Sequence, residues 1–324
     1  MKLSIVTTLY LSEGHIQEFV ERSKSVAADL VADQFEIILV NDGSPDGSLD
    51  LALELAADDP HLMVIDLSRN FGHHKAIFTG LAHACGEHIF LIDSDLEEDP
   101  AWLLAFWENM SQQACDVVFG VQTQRKGGPW EQFSGWIFYK LFNLLSGLNL
   151  PANIVTARLM TRRYVDALLL HKEREIAIGP LMLITGYKQV THPITKLSTS
   201  PSTYTFRHKF AVMVDSVTSF SNKPLVWIFN IGLMIFLLAC YYTLYLVVMR
   251  LFFATPLVGW TSVMASVWML GGLIISFLGI IGIYLSKIFL ETKQRPSTII
   301  RAIHGSPRAD RTPDSAPAQD HPHA

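Results

Sequence analysis

The sequence predicts an α/β fold, a mostly parallel sheet covered by helices on both faces, followed by amphipathic helices and a two-helix transmembrane hairpin. Three observations predict it. Up to about residue 121, short apolar runs alternate with stretches of helical period, the rhythm of a βαβ chain. Two acidic loops, Val40-Asn41-Asp42-Gly43-Ser44 and Asp93-Ser94-Asp95-Leu96-Glu97, each follow a strand-like run, the place where open α/β sheets bind ligands. Two apolar runs near the C-terminus are long enough to cross a bilayer core of about 30 Å.

Leu3–Leu9 reads as the first strand. It is too short and too rich in hydroxyls (Ser4, Thr7, Thr8) for a secretory signal, and no small-residue cleavage site follows it. The chain is therefore expected to start in the cytoplasm. Helix Ile16–Val31 comes next, then strand Glu36–Val40 and helix Ser48–Ala57, and strand Leu62–Asp66 and helix Lys75–Cys85. Strand His88–Ile92, helix Pro100–Met110 and strand Asp116–Val121 complete the alternating region. Asp99-Pro100 joins an N-cap residue to a proline at the first helical position, so Asp99 is assigned to a cap and not to a ligand.

From Trp130 to Leu148 the chain is aromatic and poor in charge, a pattern that fits both a core-facing helix and one lying at a membrane interface. A second amphipathic stretch, Tyr204–Phe220, carries Arg207, His208 and Lys209 toward the membrane. Pro224–Met249 and Trp260–Leu285 read as spans, the second with Gly271, Gly272, Gly279 and Gly282 for close helix packing. Lys223 lies before the pair and Lys287, Lys293, Arg295 and Arg301 after it, so both ends are expected in the cytoplasm. The expected organisation is a catalytic domain with juxtamembrane helices over 1–222, two transmembrane helices over 223–289 (about 224–249 and 260–285) and a tail over 290–324. After about Ile303 the tail is rich in Pro, Asp, Ala and His and is expected to be disordered.

Composition narrows the function classes. With 25 Lys and Arg against 30 Asp and Glu, a net charge of −5, the chain has no basic stripe for nucleic acid. Only 17% of residues are charged and mean hydropathy is +0.28, too apolar for a wholly soluble protein. Cys85, Cys115 and Cys240 are scattered without a Cys-x-x-Cys, so neither a disulfide framework nor a zinc site is expected.

The chemistry gathers at the acidic loops. Asp93 and Asp95, two apart after a β-run, are hard oxygen ligands suited to Mg²⁺ or Mn²⁺, and such an ion bridges a diphosphate. A sugar nucleotide fits this pattern, with Asp42 placed to accept hydrogen bonds from base or ribose. His73-His74 resembles a metal pair, but adjacent side chains at a helix start diverge, so they are assigned to a loop–helix junction near the nucleotide.

Several segments together resemble the family 2 glycosyltransferases that use polyisoprenyl phosphates. They are Ile38-Leu-Val-Asn-Asp-Gly-Ser-Pro-Asp-Gly-Ser48, Leu67-Ser-Arg-Asn-Phe-Gly72, Ile92-Asp-Ser-Asp-Leu-Glu97, Ala157-Arg-Leu-Met-Thr-Arg-Arg163 and Thr218-Ser-Phe-Ser-Asn-Lys-Pro-Leu225. The resemblance implies a GT-A type, Rossmann-like fold. It also implies inverting transfer of a sugar from a nucleotide donor to undecaprenyl phosphate at the cytoplasmic face of a bacterial inner membrane, supplying lipid-linked sugar for an envelope polysaccharide. Position by position, it assigns Tyr10, Asp42 and Asp93 to the nucleotide sugar and Asp93, Asp95 and Glu97 to the metal. It assigns Arg125, Lys126, Ser202 and Tyr204 to the lipid phosphate, and Asp95, Arg125 and Arg158 to catalysis. A homo-oligomer and a flippase partner stay open.

The sequence also departs from the family pattern. Thr8 and Ser12 stand where the family opening has Pro and Glu, with Glu13 as a candidate substitute for the lost carboxylate. Thr156 replaces the acidic residue before the Arg158 segment, and Ser200 replaces a glycine. Loss of that acid need not stop the chemistry, because a phosphate monoester with a second pKa of about 6 is already ionised at neutral pH. Such an acceptor needs positioning more than deprotonation. Two rival readings are a processive polysaccharide synthase, whose Gln-x-x-Arg-Trp motif is missing here, and a non-catalytic membrane scaffold.

Overall fold

Every residue of strands β1 (Leu3–Leu9) and β2 (Phe35–Asn41) is buried, as is every residue of β3 (Leu62–Leu67). Such runs of Val, Ile and Leu belong at the centre of a sheet covered on both faces. In the computed structural model of the protein, which describes residues 1–122, 140, 143–144, 153–173, 178–195, 223–253 and 259–305, they form that centre. β1 pairs in parallel with β2 and with β4 (His88–Leu91), and β2 pairs in parallel with β3. The connections are helices α1 (Ile16–Val31), α2 (Ser48–Ala57) and α3 (His73–His83), with α4 (Trp102–Gln113) after β4.

Alternation along the strands divides the core in two. Leu3, Ile5, Ile37 and Leu39 face Phe19 of α1 and Phe106 of α4. Val6, Ile38 and Val40 face Ile77, Phe78 and Leu81 of α3. Gly80 of α3 sits where a Cβ would meet Val6 Cγ1 at 2.5 Å, so the helix lies close on the sheet.

The sheet is mixed: most of its strands run one way, as expected, and two run against them. Its order is β7-β5-β6-β4-β1-β2-β3-β8, with β5 at Val117–Gln122, β6 at Ile154–Thr161 and β7 at Gln189–Ile194. β6 enters antiparallel to both β4 and β5, while β5 and β7 are parallel. The βαβ rhythm ends at β5, so the sequence pattern that signals parallel strands does not govern the strands beyond it. Helix α5 (Arg162–Leu169) opens directly after β6, and α6 (Ile178–Ile184) precedes β7.

The chain returns to the sheet before the point where disorder is expected to begin. Ile300–His304 forms strand β8, antiparallel to β3. An outer strand presents unpaired N–H and C=O groups that can template another strand. Here the returning chain satisfies them, with Val64 opposite His304 and Ile65 opposite Ile303.

Between the domain and β8 lie two long helices, α7 (Lys223–Phe253, 31 residues) and α8 (Trp260–Thr292, 33 residues). Large apolar side chains stand exposed on both, among them Phe229, Leu237 and Leu244 of α7 and Ile274, Ile275 and Leu278 of α8. Among the described residues one stretch is long and apolar enough to cross a membrane, Met269–Thr292, with a mean hydropathy of 2.2. The aromatic stretch Trp130–Leu148, apart from residues 140 and 143–144, and the amphipathic stretch Tyr204–Phe220 lie outside the described residues.

Candidate active site

The strand order 3-2-1-4 reverses direction at β1, which makes its C-terminal end a topological switch point and the expected ligand crevice. The two acidic loops flank that point, one following β2 and the other β4. Their builds differ.

The loop after β2 is tightly bonded. Asp42 is 2% exposed, and its carboxylate accepts the Phe71 N–H at 2.7 Å and the Gly72 N–H at 3.0 Å. Burial raises the Asp42 carboxyl above its ordinary pKa, against those two N–H bonds and the charges of His73 and Arg69. Each oxygen keeps lone-pair capacity for a further donor. Gly43 has φ +60°, and a Cβ there would lie 2.5 Å from the Asn70 backbone N, so this position requires glycine. Asn41 closes the strand end: its Nδ2 donates to Asp66 Oδ1 at 2.8 Å, and its Oδ1 accepts the Ser44 N–H at 3.2 Å.

Next along the loop, Asp46 gathers Ser44 Oγ and Ser48 Oγ, both at 2.5 Å, with the backbone N–H groups of Glu13 and Ser48. Desolvation alone would raise this carboxyl, but those bonds bring it down to about 2. Glu13 is committed elsewhere, since its Oε2 accepts the Gly47 N–H at 3.0 Å. It therefore ties the β1 loop to the start of α2.

The loop after β4 is open by comparison. Asp95 is exposed, and Asp93 and Glu97 are partly exposed. Asp95 Oδ1 accepts the Glu97 N–H at 3.0 Å across Leu96, which holds φ +58°. A left-handed, non-glycine residue stores strain of about 1–3 kcal/mol that the surroundings must sustain. Ser94 anchors the loop from below, with Oγ donating to the Thr8 carbonyl at 3.0 Å and lying 3.2 Å from Ser12 Oγ. Thr8 and Ser12, two of the departures from the family pattern, thus hold the acidic loop in place.

Tyr10 follows β1 and is 48% exposed, beside Leu11 with φ +54°. His73 starts α3; its Nδ1 lies 3.0 Å from Thr8 Oγ1 and its Nε2 lies 3.5 Å from Asp93 Oδ1. Desolvation lowers the half-exposed imidazole below its ordinary pKa, against the carboxylates of Asp42, Glu98 and Asp95. The loop–helix junction expected for His73 is where it sits.

Arg158 lies beneath the acidic loop. It is 5% exposed on β6, opposite Leu91, with Nε donating to the Thr156 carbonyl at 2.9 Å and a terminal nitrogen donating to the Val155 carbonyl at 3.0 Å. Its other terminal nitrogen contacts Met182 Sδ. Burial lowers its pKa, opposed by Tyr164, Glu98 and Asp93. Glu98, fully buried, accepts the Thr156 N–H at 3.0 Å, so a carboxylate one residue past the acidic run stands beside the lost acid at Thr156. Asp99 is not the N-cap expected of it, since α4 starts at Trp102 with Ala101 at that position; its Oδ1 accepts the Ala101 N–H at 2.9 Å in the turn before the helix and receives Arg22 at 2.8 Å. Arg125, Lys126, Ser202 and Tyr204 lie outside the described residues.

Sequence reasoning did not single out Glu98, Ser94 or Asp66 as site residues. Glu98 was hidden in a run of acids, and Ser94 and Asp66 act only through partners distant in sequence. The donor set at Asp93, Asp95 and Glu97 consists of hard carboxylate oxygens, and among the described residues no three His, Cys, Asp or Glu side chains form a metal cage. Mg²⁺ binding fits such a set, because that ion takes one or two carboxylates and completes its shell with water and substrate phosphates. When bound, the ion would stabilise charge developing on the leaving diphosphate.

An open α/β sheet with acidic loops at its switch point has the architecture of a class of proteins that bind ligands at the carboxyl ends of their strands. Residues 4–169 match the model of the family described as Glycosyl transferase family 2, and the chain belongs to that family. A protein described as "Putative glycosyltransferases" from Mycobacterium tuberculosis (strain CDC 1551 / Oshkosh) is 51% identical over 97% of this chain and 92% of its own. The SfII prophage-derived bactoprenol glucosyl transferase of Shigella flexneri is 30% identical over 95% of this chain and 100% of its own. Among solved structures, the mannosyltransferase PcManGT from Pyrobaculum calidifontis aligns with a TM-score of 0.47 at 16% identity, over 67% of this chain and 63% of that one. The protein is a glycosyltransferase with a GT-A-like mixed α/β sheet.

Proposed function

We propose that the enzyme transfers one sugar from a nucleotide-sugar donor to undecaprenyl phosphate at the cytoplasmic face of a bacterial inner membrane, with inversion, to supply lipid-linked sugar for an envelope polysaccharide. One observation carries the reading. The acidic loops flank the sheet's switch point, and the chain that carries a membrane-length helix returns into that same sheet. The named activity of the Shigella relative supports the acceptor class.

The return of β8 also supports the two-helix hairpin. Because β8 pairs with β3, the chain enters and leaves the α7–α8 region from the same domain. An odd number of crossings would separate the two ends by a bilayer. A crossing by α8 therefore calls for a second, and α7 is the helix available among the described residues. On this reading 1–222 is the cytoplasmic catalytic domain, 223–289 the hairpin and the remainder a cytoplasmic tail.

In the reaction, an oxygen of the lipid phosphate bonds to the anomeric carbon as the bond from that carbon to the donor's diphosphate oxygen breaks. The electron pair leaves with the nucleoside diphosphate. Asp42 and Tyr10 bind the nucleoside; Asp93, Asp95 and Glu97 are the residues that would hold Mg²⁺ or Mn²⁺, which would supply charge stabilisation for the leaving group. Arg125, Lys126, Ser202 and Tyr204 receive the lipid phosphate. Arg158, assigned to catalysis by the family resemblance, is buried and donates to the Thr156 and Val155 carbonyls, so its part here is to brace β6 beside the acidic loop.

The test incubates the full-length enzyme with Mn²⁺, undecaprenyl phosphate and radiolabelled UDP- or GDP-sugars. Label in the organic phase, with mass spectrometry giving a monoglycosyl lipid phosphate, supports the proposal. Label that stays aqueous with every donor overturns it, and a growing glycan chain would point to a processive synthase.

A further inference from the structure

We infer that Arg301, on the strand that follows the second long helix, is a positioning residue for the nucleotide half of the donor site. The inference rests on the donor reading above and extends the site to the far end of the chain. Arg301 reaches into the base of the Asp42 loop. One terminal nitrogen donates to Asp66 Oδ2 at 3.1 Å, and the other donates to the Ser68 carbonyl at 2.8 Å.

Each contact leads to the site. Asp66 is 3% exposed, and its other oxygen holds Asn41 Nδ2 at 2.8 Å, immediately before Asp42. Ser68 begins the segment Ser68–Gly72, whose far end supplies the two N–H groups that Asp42 accepts. β8 grips that segment a second time, since the Ser68 N–H donates to the Ile299 carbonyl at 2.9 Å. The Ser68–Gly72 segment is thus held by Asp42 at one end and by β8 at the other. Gly43 sits under its middle with no room for a Cβ.

A guanidinium suits this place because its fork serves a carboxylate and a carbonyl at once in fixed geometry. Without it, one oxygen of the buried Asp66 carboxylate loses its charged partner, and the Ser68 carbonyl loses a donor. The loop then gains freedom, and freedom in a loop that must present Asp42 weakens nucleotide binding. Arg301 does not touch reacting atoms, so its loss affects ground state and transition state alike. Thr298, on the same returning segment, makes a separate contact, with its Oγ1 2.8 Å from Thr79 Oγ1 on α3.

The experiment measures UDP and GDP binding to the full-length protein in detergent by calorimetry, then donor KM and kcat. Arg301→Ala is expected to weaken the nucleotide that binds by about tenfold and to raise donor KM similarly with kcat within about twofold, while Arg301→Lys, which keeps the charge but not the fork, recovers only part of the loss. Thr298→Val, which loosens the strand away from the loop, is expected to leave affinity within about twofold. Unchanged affinity in Arg301→Ala below its melting temperature overturns the inference, as does an equal loss in Thr298→Val, which makes β8 a general clip. Nucleotide binding needs no lipid, so a failure of the acceptor reading leaves this test intact. A parent protein that binds neither nucleotide overturns the donor reading and this inference together.

Discussion

The two acidic loops lie on either side of one strand, yet one is saturated with internal bonds and the other is left open. Asp42 is buried with a backbone N–H on each oxygen, while Asp95 is exposed with a single backbone contact. The same residue type therefore plays two parts. At Asp42 the carboxylate shapes a loop, and on the proposed function its remaining lone pairs serve the nucleoside. At Asp95 it offers nearly all of its capacity outward, which suits the proposed cation with incomplete protein ligation. Carboxylates of similar sequence setting are separated in role by their burial.

Substitutions can break this comparison. The largest effect is expected at the open loop: Asp95→Ala should lower lipid-linked product formation by at least about a hundredfold, since metal stabilisation of a leaving diphosphate is worth several kcal/mol. Its melting temperature should stay close to the parent's, because the side chain is exposed. Activity within a few fold of the parent would remove Asp95 from the metal assignment. Asp42→Asn should do the reverse on stability. The amide presents N–H groups toward a backbone donor that had a carboxylate oxygen, which costs about 1–3 kcal/mol in urea unfolding. Gly43→Ala tests the frame without touching a charge. Its Cβ would meet the Asn70 backbone, so a loss of about 1–3 kcal/mol with a raised donor KM is expected. If it proved neutral in both, Ser68–Gly72 would not be the rigid frame of the nucleotide side.

The open loop was legible in the sequence and the frame was not. An Asp-x-Asp after an apolar run states its chemistry locally, and strands β1 to β5 with helices α1 to α4 follow from short-range periodicity. The sequence ranges for those elements differ from the structure by a few residues at most, as where α3 starts at His73 instead of Lys75. Glu98, Asp66 and Arg301 carry no such local sign. Arg301 is 235 positions from the aspartate it pairs with, beyond two long helices, and its sequence setting marked it only as one of the basic residues flanking the hairpin. An edge strand like β8 is short and takes its order from the strand it joins, so its local sequence does not reveal the partner. Thr8 illustrates the same limit: read as a departure from a family pattern, it turns out to hold Ser94 through its carbonyl and to meet His73 through its hydroxyl.

The smallest expected effect concerns Asp46, which stitches the saturated loop to the β1 loop and to α2. Its pKa falls from the ordinary 3.8 to about 2 in the folded protein. The unfolded chain then binds more protons than the folded one between those values, so stability falls as pH falls through that window. The contribution is fully present above about pH 4 and is lost as the pH approaches 2. Other carboxylates titrate in the same range, so the informative quantity is the difference in urea-unfolding free energy between parent and Asp46→Asn at each pH. That difference should be largest at neutral pH and shrink between pH 4 and 2. A difference that stayed constant across the window would mean the hydroxyls of Ser44 and Ser48 and the N–H of Glu13 do not prefer the ionised carboxylate. The bonding that sets the Asp42 loop apart from the Asp95 loop would then be geometric and not electrostatic.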